Sequence, residues 1–129
     1  MSKVLLVEDD PAESRLYQRL LTAEGFDMVA IDNGQECHAA AVSFRPDIIL
    51  MDIMMPKMNG FEALDILRID KDLKMIPVVV LSNLSDDHYK EEAHKRGAVQ
   101  FIIKSQIENK DLIGVIRDVL TAYTRKGGV

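Results

Sequence analysis

Five short apolar runs punctuate the chain, at 4–7 (VLLV), 28–31 (MVAI), 48–51 (IILM), 78–81 (VVVL) and 101–103 (FII). Most are rich in β-branched residues, and all are near-continuous rather than alternating, which is how strands buried on both faces read. Between them the apolar positions switch to helical spacing. Ala12, Leu16 and Leu20 recur every four residues and Phe61, Leu64 and Leu67 every three, while Leu112, Val115, Ile116, Val119 and Leu120 form one wide stripe. Helix-start signals fall where this pattern needs them. Asp10-Pro11 sets a cap before a proline at the first helical position, with Glu13 three residues after the cap. Asn33 and Asn59 each precede a glutamate by three residues (Glu36, Glu62), and Ser85 and Asn109 are cap candidates for the last two helices. Gly25 and Gly97 sit where helices end. Strand then helix, five times over, predicts an α/β fold: a doubly wound five-stranded parallel sheet with helices on both faces.

Composition narrows the function classes. The chain has 129 residues, 47% of them hydrophobic, which suits one globular domain with a real core and excludes a disordered tail region as the whole. No apolar run approaches the ~20 residues of a membrane helix, so membrane insertion is not expected. The N-terminus lacks the features of a secretory signal. The single cysteine, Cys37, cannot form an internal disulfide and fits a reducing, cytoplasmic setting. A net charge of −5 disfavours direct nucleic-acid binding, which depends on basic groups facing phosphates. No repeat or linker divides the chain. The reading is one domain over 1–124 and a disordered tail over 125–129.

The residues that follow each apolar run carry the chemistry. The first run leads into Glu8, Asp9 and Asp10, the third into Asp52, the fourth into Ser82 and the fifth into Lys104. In a parallel sheet all carboxyl ends share one edge, and ligands of open α/β sheets bind in the crevice there. Clustered carboxylates raise one another's pKa unless a cation intervenes. Hard oxygen donors at a partly hydrated site suit Mg²⁺, which completes its shell with water and phosphate oxygens. An ammonium and a hydroxyl beside such an ion are what a phosphoryl group needs, and a remaining carboxylate can act as nucleophile.

At these positions the sequence resembles a known family. VLLVEDDP at 4–11, DIILMDIMMPKMNG at 47–60, PVVVLS at 77–82 and FIIK at 101–104 are similar to the receiver domain of bacterial two-component response regulators, a resemblance covering residue 3 to about 123. It implies the flavodoxin-like strand order 2-1-3-4-5. It implies that Asp52 is the phosphoacceptor, taking a phosphoryl group from the phosphohistidine of a sensor kinase or phosphotransfer protein. Asp9 and Asp52, with the backbone carbonyl of Met54, would hold Mg²⁺, and Glu8 would act mainly through a metal-bound water. Lys104 would pair with Asp52 and then with the phosphoryl group. Ser82 would donate to a phosphoryl oxygen and draw its loop inward, and Phe101 would turn inward with it. The readout would be a population shift at the face of the fourth helix, fifth strand and fifth helix, where an unidentified downstream protein would bind. Such a module is not an enzyme; it assists only its own phosphorylation and dephosphorylation.

Each assignment has a plainer counterpart. Asp52 alone is a turn aspartate, Lys104 a surface lysine, Ser82 a loop serine and Phe101 a fixed core aromatic. Asp10 suits the helix cap better than the metal. His38, His88 and His94 lack ligand spacing, and Cys37 reads as a small buried apolar residue. Two departures from the family pattern stand out. Lys104 is followed by Ser105 where the family usually has a cis proline, which predicts a trans bond with a rearranged loop, or retained strain. Asn83 stands where a small residue is usual, at the crevice mouth, and Met54 and Leu84 add apolar bulk expected to slow loss of the phosphoryl group. Alternatives in other classes are a Mg²⁺-dependent aspartate-nucleophile phosphatase, which wants a second aspartate where Met54 stands, a flavodoxin, and a scaffold without chemistry. A complete closing helix favours a stand-alone regulator; the alternative is a receiver excised from a longer chain.

Overall fold

The computed structural model describes residues 1–127, with side chains through Tyr123. Strands β1 (Lys3–Val7), β2 (Asp27–Ile31), β3 (Ile48–Met51), β4 (Val78–Ser82) and β5 (Gln100–Ile103) alternate with helices α1 (Pro11–Ala23), α2 (Cys37–Phe44), α3 (Gly60–Ile69), α4 (Asp87–Lys95) and α5 (Asn109–Gly127). The strands form one parallel sheet in the order β2-β1-β3-β4-β5. The tail expected over 125–129 lies outside the residues described in full.

Successive strand side chains point to opposite faces, and both faces are covered. Val4, Leu6, Ile48, Leu50, Val79, Leu81 and Ile102 pack under α1 and α5, against Tyr17, Leu21, Leu112 and Ile116. Leu5, Val7, Ile49, Met51, Val78 and Val80 pack under the other helices, against Cys37, Ala41, Ala63, Leu64, Leu67 and Ala93. Two cores on one sheet explain why the runs are continuous: each alternate residue serves a different core. The register levels the carboxyl ends. Val7 lies opposite both Ile31 and Met51, Met51 opposite Val80, and Ser82 opposite Ile103.

Several local expectations change. In α1 the buried face is Tyr17 and Leu21, not the Ala12–Leu16–Leu20 row, and Leu16 is 52% exposed. The helix carries two adjacent apolar rows, and the one continuous with Tyr17 faces the sheet. α4 starts two residues after Ser85, with Asp86 at the cap and no side-chain capping bond. Asn109 is the first residue of α5 rather than its cap. Asn33 caps a single 3-10 turn, Gly34–Glu36, that leads into α2. A second such turn, Lys104–Gln106, follows β5. The Lys104–Ser105 peptide is trans.

Candidate functional site

Three loops at the carboxyl edge of the sheet build the site. In the first, Glu8 donates its backbone N–H to the Ile31 carbonyl at 3.0 Å, extending the β1–β2 ladder by one residue. The Asp10 carboxylate accepts from the N–H groups of Ala12 (2.9 Å) and Glu13 (3.1 Å) and caps α1. It is thereby committed to the helix, as its position before Pro11 predicts. The Glu8 carboxylate accepts from the Asp10 N–H at 3.1 Å, which turns this buried acid back into the site. Asp9 is exposed at the rim.

The second loop joins β3 to α3. Asp52 donates its N–H to the Val7 carbonyl at 3.0 Å, and its Oδ1 accepts from the Ile53 N–H at 2.7 Å. The loop is drawn tight by two glycines. A Cβ at Gly60 would stand 2.3 Å from the Asp52 carbonyl oxygen, and one at Gly34 would stand 2.1 Å from the Met58 carbonyl oxygen. Asn59 and Glu62 form the full reciprocal cap expected at the start of α3. Met54 projects from this loop and is 64% exposed.

The third contribution comes from β4 and β5. Ser82 is buried, and its Oγ accepts from the Leu84 N–H at 3.3 Å. Leu84 and Phe101, both half-buried, pack against the second core. Asn83 Oδ1 accepts from the Ser105 N–H at 3.1 Å. That bond requires a residue other than proline at 105, and it ties the two loops together.

Lys104 brings the loops to one point. Its Nζ donates to Asp52 Oδ2 at 3.0 Å, to Glu13 Oε2 at 3.2 Å and to Glu8 Oε1. Glu8, Asp9 and Asp52 each place a carboxylate oxygen within 4.8 Å of the others. Burial pushes the Glu8 carboxyl up to about 7, against the opposing pull of the Lys104 ammonium and the Asp10 N–H. Burial also works against the charge of Lys104, but its hydrogen bonds to the Glu8 and Asp52 carboxylates outweigh it and hold the ammonium above the usual lysine range. The group therefore combines crowded carboxylates, one of them reluctant to ionise, with a cation firmly charged. The donors are all hard oxygens, two from buried acids and one from an exposed acid, which fits a partly hydrated Mg²⁺.

The sequence expectation for positions 8, 9, 52 and 104 thus becomes a spatial cluster, and Ser82 lies on the same sheet edge. Glu13 is the member that sequence reasoning missed. Its place three residues after Asp10 suggested a capping role, but its carboxylate reaches Lys104 instead.

Comparison with known proteins agrees with this geometry. Residues 4–117 match the response regulator receiver domain family. Protein PilH of Pseudomonas aeruginosa is 31% identical over 120 residues, covering 93% of this chain and 98% of that protein. The DNA-binding master regulator RpaA of a Synechocystis species is 32% identical over 125 residues, and the chain spans 52% of its length. Among solved structures, the chemotaxis response regulator CheY4 of Vibrio cholerae superposes with a TM-score of 0.86 at 28% identity, over 92% of this chain and 98% of that one. The receiver domain of a histidine kinase from Syntrophus aciditrophicus gives 0.86 at 30% identity, over 95% and 92%.

Proposed function

We propose that this chain, which belongs to the response regulator receiver domain family, takes a phosphoryl group onto Asp52 from a phosphohistidine and thereby alters a protein-binding face. It is a phosphorylation-dependent signalling module of two-component systems rather than a classical enzyme. The observation that carries the assignment of Asp52 is its position: it shares Lys104 with Glu8 and lies within the Glu8–Asp9–Asp52 group.

One oxygen of Asp52 attacks the phosphorus, the P–N bond to the imidazole breaks, and the leaving ring keeps its electron pair and takes a proton from water. An acyl phosphate forms on Asp52. Lys104, already bonded to Asp52 Oδ2, passes to the new phosphoryl oxygens and balances their charge. Glu8, Asp9, Asp52 and the Met54 carbonyl would hold Mg²⁺, which when bound supplies positive charge beside those oxygens. Ser82 exchanges its bond with the Leu84 N–H for donation to a phosphoryl oxygen, which moves the β4–α4 loop.

The face that follows this loop is α4, β5 and α5. It holds a shallow groove of about 120 Å³ between Lys90, His94, Ala98, Val99, Gln100 and Phe101, and we assign the downstream protein to it. Among the described residues no helix is long and apolar enough to cross a membrane, and we assign the module to the cytoplasm, where its kinase domain partners act. Incubation with Mg²⁺ and acetyl phosphate, followed by intact-mass measurement, tests the reading. One added phosphoryl group is expected, absent in Asp52→Ala and lost with chelator. Addition that survives Asp52→Ala contradicts it.

A further inference from the structure

An ammonium has three N–H donors, and Lys104 spends them on three carboxylates: Glu8, Glu13 and Asp52. Two of these partners belong to the Glu8–Asp9–Asp52 group; Glu13 does not. Resting on the function proposed above, the consequences for the three bonds differ. The bond to Asp52 passes to the phosphoryl group that Asp52 acquires, and Glu8 is drawn toward any cation in the cluster. Glu13 sits on the first turn of α1, held by the Asp10 cap, and has no reason to let go.

We propose that Glu13 is a positioning residue that restrains Lys104, so that the ammonium can follow the phosphoryl group only as far as its bond to a standing carboxylate on α1 allows. The restraint opposes phosphorylation, because the bond to Glu13 holds Lys104 back from the position in which it best meets the transferring phosphoryl group. It also keeps Lys104 at the crevice when the other two carboxylates are engaged elsewhere. Gln has nearly the helix propensity of Glu, so Glu13→Gln removes the charge with little effect on α1.

The test is a double-mutant cycle on the full chain between Glu13→Gln and Lys104→Met, read by the rate of phosphorylation from acetyl phosphate at fixed ionic strength and saturating Mg²⁺. Glu13→Gln alone is expected to raise the rate about threefold, the size of one partly exposed ion pair, and to leave it unchanged in the Lys104→Met background. A second readout needs no metal or donor: the Lys104 ammonium signal, followed by nitrogen-resolved NMR in metal-free protein, exchanges with water faster in Glu13→Gln. An unchanged rate overturns the proposal. So does an equal acceleration in both backgrounds, which would mean that Glu13 only repels an anionic donor. If the parent protein takes up no phosphoryl group at all, the function reading itself fails and the restraint fails with it.

Discussion

Glu8 and Cys37 are both almost wholly buried, and burial acts on each in the same direction with different outcomes. Each pays desolvation in its charged form. For Cys37 nothing offsets the penalty, and the thiol is pushed up to about 12. The thiolate is the reactive species, so iodoacetamide at mildly alkaline pH should leave native Cys37 unmodified while alkylating it fully in denaturant. Rapid alkylation of the native protein would contradict its placement. For Glu8 the penalty is partly offset by Lys104, and the group rests at about 7 instead of the ordinary 4.5. A carboxyl whose folded pKa is raised costs metal-free stability as pH climbs from the unfolded value through the folded one, because the unfolded chain releases its proton first. A metal requires the ionised form. Apparent Mg²⁺ affinity, measured by calorimetry, should therefore strengthen between about pH 6 and about pH 8 as competition from the proton fades. Affinity that is flat across that window would contradict a role for Glu8 in the metal site.

At the scale of elements, the β3–α3 loop depends on the absence of a side chain where α3 begins. A Gly60→Ala variant places its Cβ against the Asp52 carbonyl oxygen and the Ile53 backbone, atoms that cannot rotate away. We expect a loss of ~1–3 kcal/mol in urea denaturation, as for other overpacked sites. Gly114→Ala is the matched control: it lies within α5 with open space around it, and should gain ~0.5–1 kcal/mol from helix propensity alone. Equal effects at the two glycines would show that the loop is not packed as described. The strands were legible because burial on both faces leaves a continuous apolar signature. Helix faces were less so. In α1 the pairs Leu16-Tyr17 and Leu20-Leu21 offer two rows one residue apart, and only packing against β1 and α5 selects Tyr17 and Leu21. The start of α4 is hard to place because Ser85, Asp86 and Asp87 are all competent caps in sequence, and Asp86, which takes the cap position, makes no side-chain capping bond to mark it.

Across the whole molecule, residues 8, 9, 52 and 104 meet because a parallel sheet aligns the exits of β1, β3 and β5, and that much follows from topology. The site's finer wiring does not. Whether Glu13 points to its own helix cap or to Lys104 depends on a tertiary contact 91 positions away. The Asn83–Ser105 bond likewise depends on how two loops approach, though the missing proline was the clue that a backbone donor exists there. The account's central claim is that Asp52 carries a covalent phosphoryl group. Borohydride reduction of the protein after treatment with Mg²⁺ and acetyl phosphate, followed by peptide sequencing in the mass spectrometer, addresses it most directly. The acyl phosphate is reduced to an alcohol, so homoserine should replace aspartate at position 52 and nowhere else. Homoserine at Asp9, Asp47 or another acid, with position 52 unaltered, would contradict it.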